Sequence, residues 1–161
     1  MNSNKLINLV KIAIVAALYA VMTLILAPFG YGAIQIRLSE MLANLAAFNK
    51  RYIWALTIGC IIANMNSPLG IIDIVCGSLS TLVTATFTYL IAKRCKTLIT
   101  KLMVAPIIST LMMWTVALEL HIINHLPFLM TYLTTALGEF VSVAIGSVIF
   151  YFIAKRIDLS K

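Results

Sequence analysis

The sequence predicts an all-α membrane protein of six transmembrane helices, with both termini on the cytoplasmic side. Composition is the first observation. The chain of 161 residues is 62% hydrophobic and 11% charged, with mean hydropathy +1.04, whereas a soluble domain is about half apolar and a quarter charged. The second is where the basic residues stand. All twelve except Arg37 fall in four clusters: Lys5 and Lys11; Lys50 and Arg51; Lys93, Arg94, Lys96 and Lys101; Lys155, Arg156 and Lys161. Short loops rich in Lys and Arg stay on the cytoplasmic side, so each apolar interval between clusters must cross the membrane and return. The third is length. Six spans of about 20 residues take about 120 residues, which leaves a single bilayer-embedded domain, residues 1–161, and no room for a soluble catalytic module.

The first span, about 6–27, stops where Pro28 and Gly30 break the helix. The second, about 35–48, is short by the 20-residue standard, so the loop before it is expected to dip into the protein, where buried backbone is tolerated. Asn49, Lys50 and Arg51 form a cytoplasmic turn. The third span, about 52–63, ends at the turn-rich stretch Asn64-Met65-Asn66-Ser67-Pro68-Leu69-Gly70. The fourth covers about 71–92 and the fifth about 102–121, joined by the basic loop at 93–101. The sixth covers about 128–154.

Against this topology the ionisable residues divide. Asp158 belongs to a cytoplasmic tail, but Glu40, Asp73, Glu119 and Glu139 lie within or at the ends of spans, together with Arg37. All five fall in the outer half of the bilayer. A charge at the bilayer centre costs about 2.5–3.5 kcal/mol on insertion scales, so such groups face a cavity or a partner. Structural pairing of Arg37 with Glu40, one turn away, is one reading, and helix capping by Asp73 is another. Glu139 has no basic residue at its depth. Four acids against one base favour a ligand that carries positive charge or many hydrogen-bond donors. Helical spacing puts Asp73, Gly77, Thr81 and Thr84 on one stripe, and Phe128, Tyr132, Thr135 and Glu139 on another. Asn64 and Asn66 add amides in the outer loop, and Tyr132 is placed to stack on a flat ligand.

Other features are weaker or exclude functions. Ala13, Ala16, Ala17 and Ala20 form overlapping small-x-x-x-small pairs on the first span, which suit close packing inside this protein or docking onto another membrane subunit. His121 and His125 stand four apart near Glu119, but Pro127 and the missing third ligand argue against a metal site. Cys60, Cys76 and Cys95 form no C-x-x-C pair, and Cys60 and Cys76 read as small core residues. No phosphate-binding G-x-x-x-x-G-K-[ST] loop and no G-x-S-x-G elbow is present. The formal charge of +7 alternates with the spans, so it reads as topology and contact with anionic lipid, not nucleic-acid binding.

Taken together, the six-helix plan, the alanine face and the outward-facing pocket resemble the substrate-binding S components of energy-coupling factor (ECF) transporters. Three stretches resemble the QueT family within that group: Gln35-Ile36-Arg37-Leu38-Ser39-Glu40, residues 64–73 around Ser67-Pro68-Leu69-Gly70, and Gly138-Glu139-Phe140. The resemblance covers nearly the whole chain. It implies a multi-pass protein of the bacterial cell membrane that binds a queuosine precursor, a 7-deazaguanine, for uptake. It also implies partners: a transmembrane coupling subunit, met through the alanine face, and two ATPases that use the ATP, so that no cofactor belongs to this chain.

Within that reading Glu139 meets the guanine-like edge, and Glu40, Asp73 or Glu119 meets an amine. Asn64 and Asn66 line the ring, Tyr132 or a loop aromatic stacks on it, Arg37 holds Glu40, and the loop at 28–34 closes over the ligand. The competing expectations are an S component for another vitamin or a metal ion, an autonomous proton-coupled carrier using Glu139, and an intramembrane metalloenzyme using His121, His125 and Glu119.

Overall fold

The structure is a computed structural model that describes residues 3–25 and 37–160. Among them the chain forms six α-helices and one 3-10 helix. They are α1 (Ser3–Ile25), the 3-10 helix (Leu38–Ala47), α2 (Arg51–Asn64), α3 (Ile71–Ala92), α4 (Leu98–Met112), α5 (Trp114–Asn124) and α6 (Phe128–Ala154). Four stretches are long and apolar enough to cross a membrane: Lys5–Ile25, Ile71–Ala92, Leu98–Asn124 and Phe128–Ala154. The other two segments expected to span fall short of that length. At 14 residues, α2 reaches about 21 Å. The 3-10 helix has 10 residues and reaches about 20 Å, against a hydrocarbon core of about 30 Å. The protein is thus an all-α membrane protein.

A 3-10 helix of this length is unusual, because its hydrogen bonds are poorer than those of an α-helix. Here it is the central element, packed against α1, α2, α3, α4 and α6. Seven of its residues are buried: Ser39, Leu42, Ala43, Asn44, Leu45, Ala46 and Ala47. Neighbours on every side explain why a sequence with only two leucines and three alanines in this buried set supplies a core. Its backbone comes so close to α6 that a Cβ on Gly146 would lie 2.6 Å from Met41 O and 2.7 Å from Met41 Cα. Asn44 locks the pair, donating from Nδ2 to Val143 O at 2.9 Å and Met41 O at 3.0 Å.

The same cluster repairs α4. Pro106 lies inside that helix and has no N–H to offer the carbonyl of Leu102, four residues back. Ser147 Oγ of α6 lies 3.1 Å from Leu102 O and 2.8 Å from Asn44 Oδ1, so the freed carbonyl is met from a neighbouring helix. The expected fifth span is two helices. It begins four residues early, at Leu98, because Thr97 caps the helix by accepting from Thr100 N at 3.2 Å. It breaks at Met113, where Thr110 and Thr115 hydroxyls bond backwards to Pro106 O and Met112 O, a habit that bends helices. It ends beyond His121, at Asn124, where His125 takes the left-handed conformation at φ 56°.

Side-chain contacts gather all four basic clusters at one end of the bundle. Arg51 Nη1 donates to Asn8 Oδ1 at 2.8 Å and Nη2 to Leu159 O at 3.4 Å. The start of α2 is thereby joined to the start of α1 and to the tail that follows α6. Asn49 Nδ2 holds the same tail through Ser160 O at 2.6 Å. Lys101 Nζ stands 4.9 Å from the Phe48 ring centre, which adds the fourth cluster.

Candidate ligand-binding site

The polar residues converge on two small cavities that share a wall. The inner one, of about 30 Å³, lies between the 3-10 helix, α2, α3, α4, α5 and α6. Its acidic residues are Glu40 and Glu139, and Arg37 stands with them. From α3 come Gly77, Ser80, Thr81, Thr84 and Thr88, and from α4 comes Ser109. The outer one, of about 60 Å³, is lined by Arg37, Pro68, Leu69, Asp73, Val116, Glu119, Leu120 and Asn124. Arg37 and Val116 line both. The five ionisable residues picked out by sequence are therefore brought together around one partition.

Each is placed by its helix. Glu40 sits in the first turn of the 3-10 helix and accepts a hydrogen bond from the Tyr19 hydroxyl of α1. Tyr19 is itself buried against Gly59 of α2, where a Cβ would lie 2.8 Å from Tyr19 Cβ. Glu139 lies in mid-α6, 2% exposed. Asp73 sits in the first turn of α3, and Glu119 in α5; both are buried. At the inner end of the first cavity the hydroxyls of Thr88 and Ser109 are buried without a hydrogen-bond partner among the described residues. Buried polar groups are normally satisfied, so these two, with Thr81 and Thr84, make the cavity a place that selects for polar contents.

The remaining site residues expected from sequence are placed elsewhere. Asn64 is buried and structural: its Nδ2 donates to Asp73 O at 3.0 Å and ties the end of α2 to the start of α3. Gly77 makes room for that amide, since a Cβ there would lie 2.5 Å from Asn64 Nδ2. Asn66 is exposed and stands outside both cavities. Tyr132 also stands outside them, its ring parallel to Phe128 at 6.4 Å. The loop at 28–34 lies outside the described residues.

The alanine face divides as well. Ala16 and Ala20 are buried against the bundle, while Ala13 and Ala17 are exposed. The first two lie inside the bundle, Ala16 O coming within 2.9 Å of where a Cβ on Gly59 of α2 would stand, and only the second two face outward. Cys60 is a core residue but Cys76 is exposed, because it lies off the buried face of α3. His121 Nδ1 lies 2.6 Å from Leu126 O, and among the described residues no group of three His, Cys, Asp or Glu could hold a metal ion.

Sequence reading missed Tyr19, Ser80, Thr88 and Ser109. Thr88 was accessible, since it continues the Gly77, Thr81, Thr84 stripe by one more helical step. Tyr19 carries a signal only in being a hydroxyl on a strongly apolar span. Ser109 carries none, because nothing local marks which face of α4 turns inward.

Residues 9–155 match the sequence model described as QueT transporter. A protein of Lactococcus lactis subsp. cremoris (strain MG1363), named queuosine precursor transporter QueT, is 43% identical over 170 aligned residues that cover 100% of both chains. No solved structure matches the chain. With four apolar stretches long enough to span, a polar interior and a family match over most of its length, the chain belongs to the QueT transporter family: it is a multi-pass membrane transport protein, not an enzyme.

Proposed function

We propose that the chain is the substrate-binding membrane subunit of an ECF-type importer and takes up a queuosine precursor, a 7-deazaguanine such as its aminomethyl derivative. The observation that carries this reading is Glu40 and Glu139 facing one hydroxyl-lined cavity, in a chain alike over its full length to a queuosine precursor transporter. A deazaguanine presents a ring N–H and an amino group on one edge, which a carboxylate accepts in a two-pronged way. Glu139 takes that edge. Glu40, oriented by Tyr19, lies on the same cavity, and Thr81, Thr84, Thr88 and Ser109 meet the remaining polar atoms.

A cavity of about 30 Å³ is far below the roughly 300–1,000 Å³ of ligand pockets, so binding displaces side chains. Arg37 and Met113 are half-buried lining residues with flexible chains, and they yield first. In the proposed topology the end that carries the four basic clusters is cytoplasmic, all six segments cross, and the acids lie towards the outside. The single domain then leaves ATP hydrolysis to two separate ATPases, with docking to the coupling subunit through α1. Of the alanine face, Ala13 and Ala17 offer the exposed contact; Ala16 and Ala20 support it from behind.

The test is reconstitution. The chain alone in proteoliposomes accumulates no 7-aminomethyl-7-deazaguanine, and addition of the coupling subunit, both ATPases and internal ATP starts uptake. Uptake by the chain alone that an uncoupler abolishes would replace this reading with a proton-coupled carrier.

A further inference from the structure

The outer cavity is not explained by the ring of the ligand. Asp73 and Glu119 are 4% and 7% exposed, and each has one carboxylate oxygen, Oδ2 and Oε1, buried without a hydrogen-bond partner among the described residues. A buried charged acceptor left unmet is costly, and here two of them line the same space of about 60 Å³. Two carboxylates against the Arg37 guanidinium leave one negative charge. The space of about 60 Å³ has room for a group the size of a water molecule or two, which an ammonium group matches. Its distance from the inner cavity is also right. Asp73 and Gly77 are one turn apart on α3, about 6 Å along the axis, and a Cβ on Gly77 would lie 3.2 Å from Asp73 Oδ1.

We propose that this cavity is a second subsite, which takes one small monovalent cationic group through Asp73 and Glu119, and that the group is the primary ammonium of the transported molecule. The inference rests on the reading above, in which the ring occupies the inner cavity. The Arg37 side chain and Val116 form the partition, and a ligand that bridges the two cavities moves Arg37 aside. An ammonium offers three N–H donors, so it meets both unmatched oxygens at once. Free ammonium or sodium ion would satisfy the same chemistry.

Calorimetry on the full chain in detergent separates these cases. The probes are 7-aminomethyl-7-deazaguanine and its uncharged 7-cyano counterpart, each in choline, ammonium and sodium chloride. Wild type is expected to bind the amine about tenfold or more tighter than the nitrile. The Asp73→Asn, Glu119→Gln double variant is expected to lose that preference while holding the nitrile within about twofold of wild type. Equal wild-type affinities, with nitrile binding strengthened by ammonium or sodium over choline, would assign the cavity to a free cation and overturn the ammonium arm. Equal affinities that ignore the cation overturn the subsite altogether. The wild-type comparison stands even if the double variant fails to fold. If a folded wild type binds neither compound, the ligand reading falls and takes the subsite with it; binding of both without preference and without cation dependence sinks the subsite alone.

Discussion

Glu139→Gln lowers the affinity for 7-aminomethyl-7-deazaguanine by about 10- to 100-fold. The substitution keeps the side-chain volume, so the cavity and the packing of α6 stay as they are. What changes is the pairing. A carboxylate accepts from both donors of the ligand edge, whereas a glutamine amide accepts from one and presents its own N–H₂ to the other. Hydrogen bonds to a charged group contribute about 1.5–3 kcal/mol each, and 1.4 kcal/mol is a factor of ten in affinity. Glu139 is 2% exposed, so water does not substitute for the lost acceptor. Titration of the purified variant, with thermal unfolding as a check on its fold, measures this. Wild-type affinity in a folded variant would remove Glu139 from the site.

Gly146→Val destabilises the protein by about 3 kcal/mol or more. A Cβ at that position meets two backbone atoms of Met41 at 2.6 and 2.7 Å and Asn44 Nδ2 at 2.8 Å. Backbone cannot rotate away as a flexible side-chain end can, so α6 and the 3-10 helix must separate. Separation breaks the Asn44 bond to Val143 O and disturbs Glu40, which shares the first turns of the 3-10 helix with Met41. Gly146→Ala is the graded case. Alanine gains about 1 kcal/mol in helix propensity, which offsets part of an overpacking cost of about 1–3 kcal/mol. Thermal unfolding and ligand titration are expected to fall together across Gly, Ala and Val. Stability and affinity unchanged in Gly146→Val would show that the central helix is not held this closely.

Charge and hydropathy made much of this molecule legible before any coordinates. The four basic clusters announce a common end because short positively charged loops resist translocation, and contacts of Arg51 and Lys101 do gather them. The Asp73, Gly77, Thr81, Thr84 stripe could be read because α3 is a regular helix, and spacing along a regular helix translates directly into a shared face. Arg37 and Glu40 were singled out by charge in an apolar setting, and they line the same cavity.

What escaped is what depends on neighbours. Nothing in Leu38–Ala47 specifies a 3-10 rather than an α-helix; that follows from burial against five other elements. The break at Met113 comes from back-bonding of the Thr110 and Thr115 hydroxyls to Pro106 O and Met112 O, and a hydropathy window cannot resolve it. A small residue such as Ala16 is equally suited to an internal and an external partner, and the close approach of Gly59 on α2 decides for the internal one. Asn64 was expected at a ligand because it is an amide in an apolar region, yet the carbonyl of Asp73 already takes it. Tyr132 shares a helical stripe with Glu139 but stacks on Phe128.

The central claim is that the cavity of Glu40 and Glu139 holds a 7-deazaguanine. Isothermal titration of the purified, detergent-solubilised protein with 7-aminomethyl-7-deazaguanine, beside guanine, riboflavin and thiamine, tests it most directly. The account predicts tight one-to-one binding of the deazaguanine and no binding of the other three. Silence with all four from a demonstrably folded sample, or preference for one of the others, would contradict it.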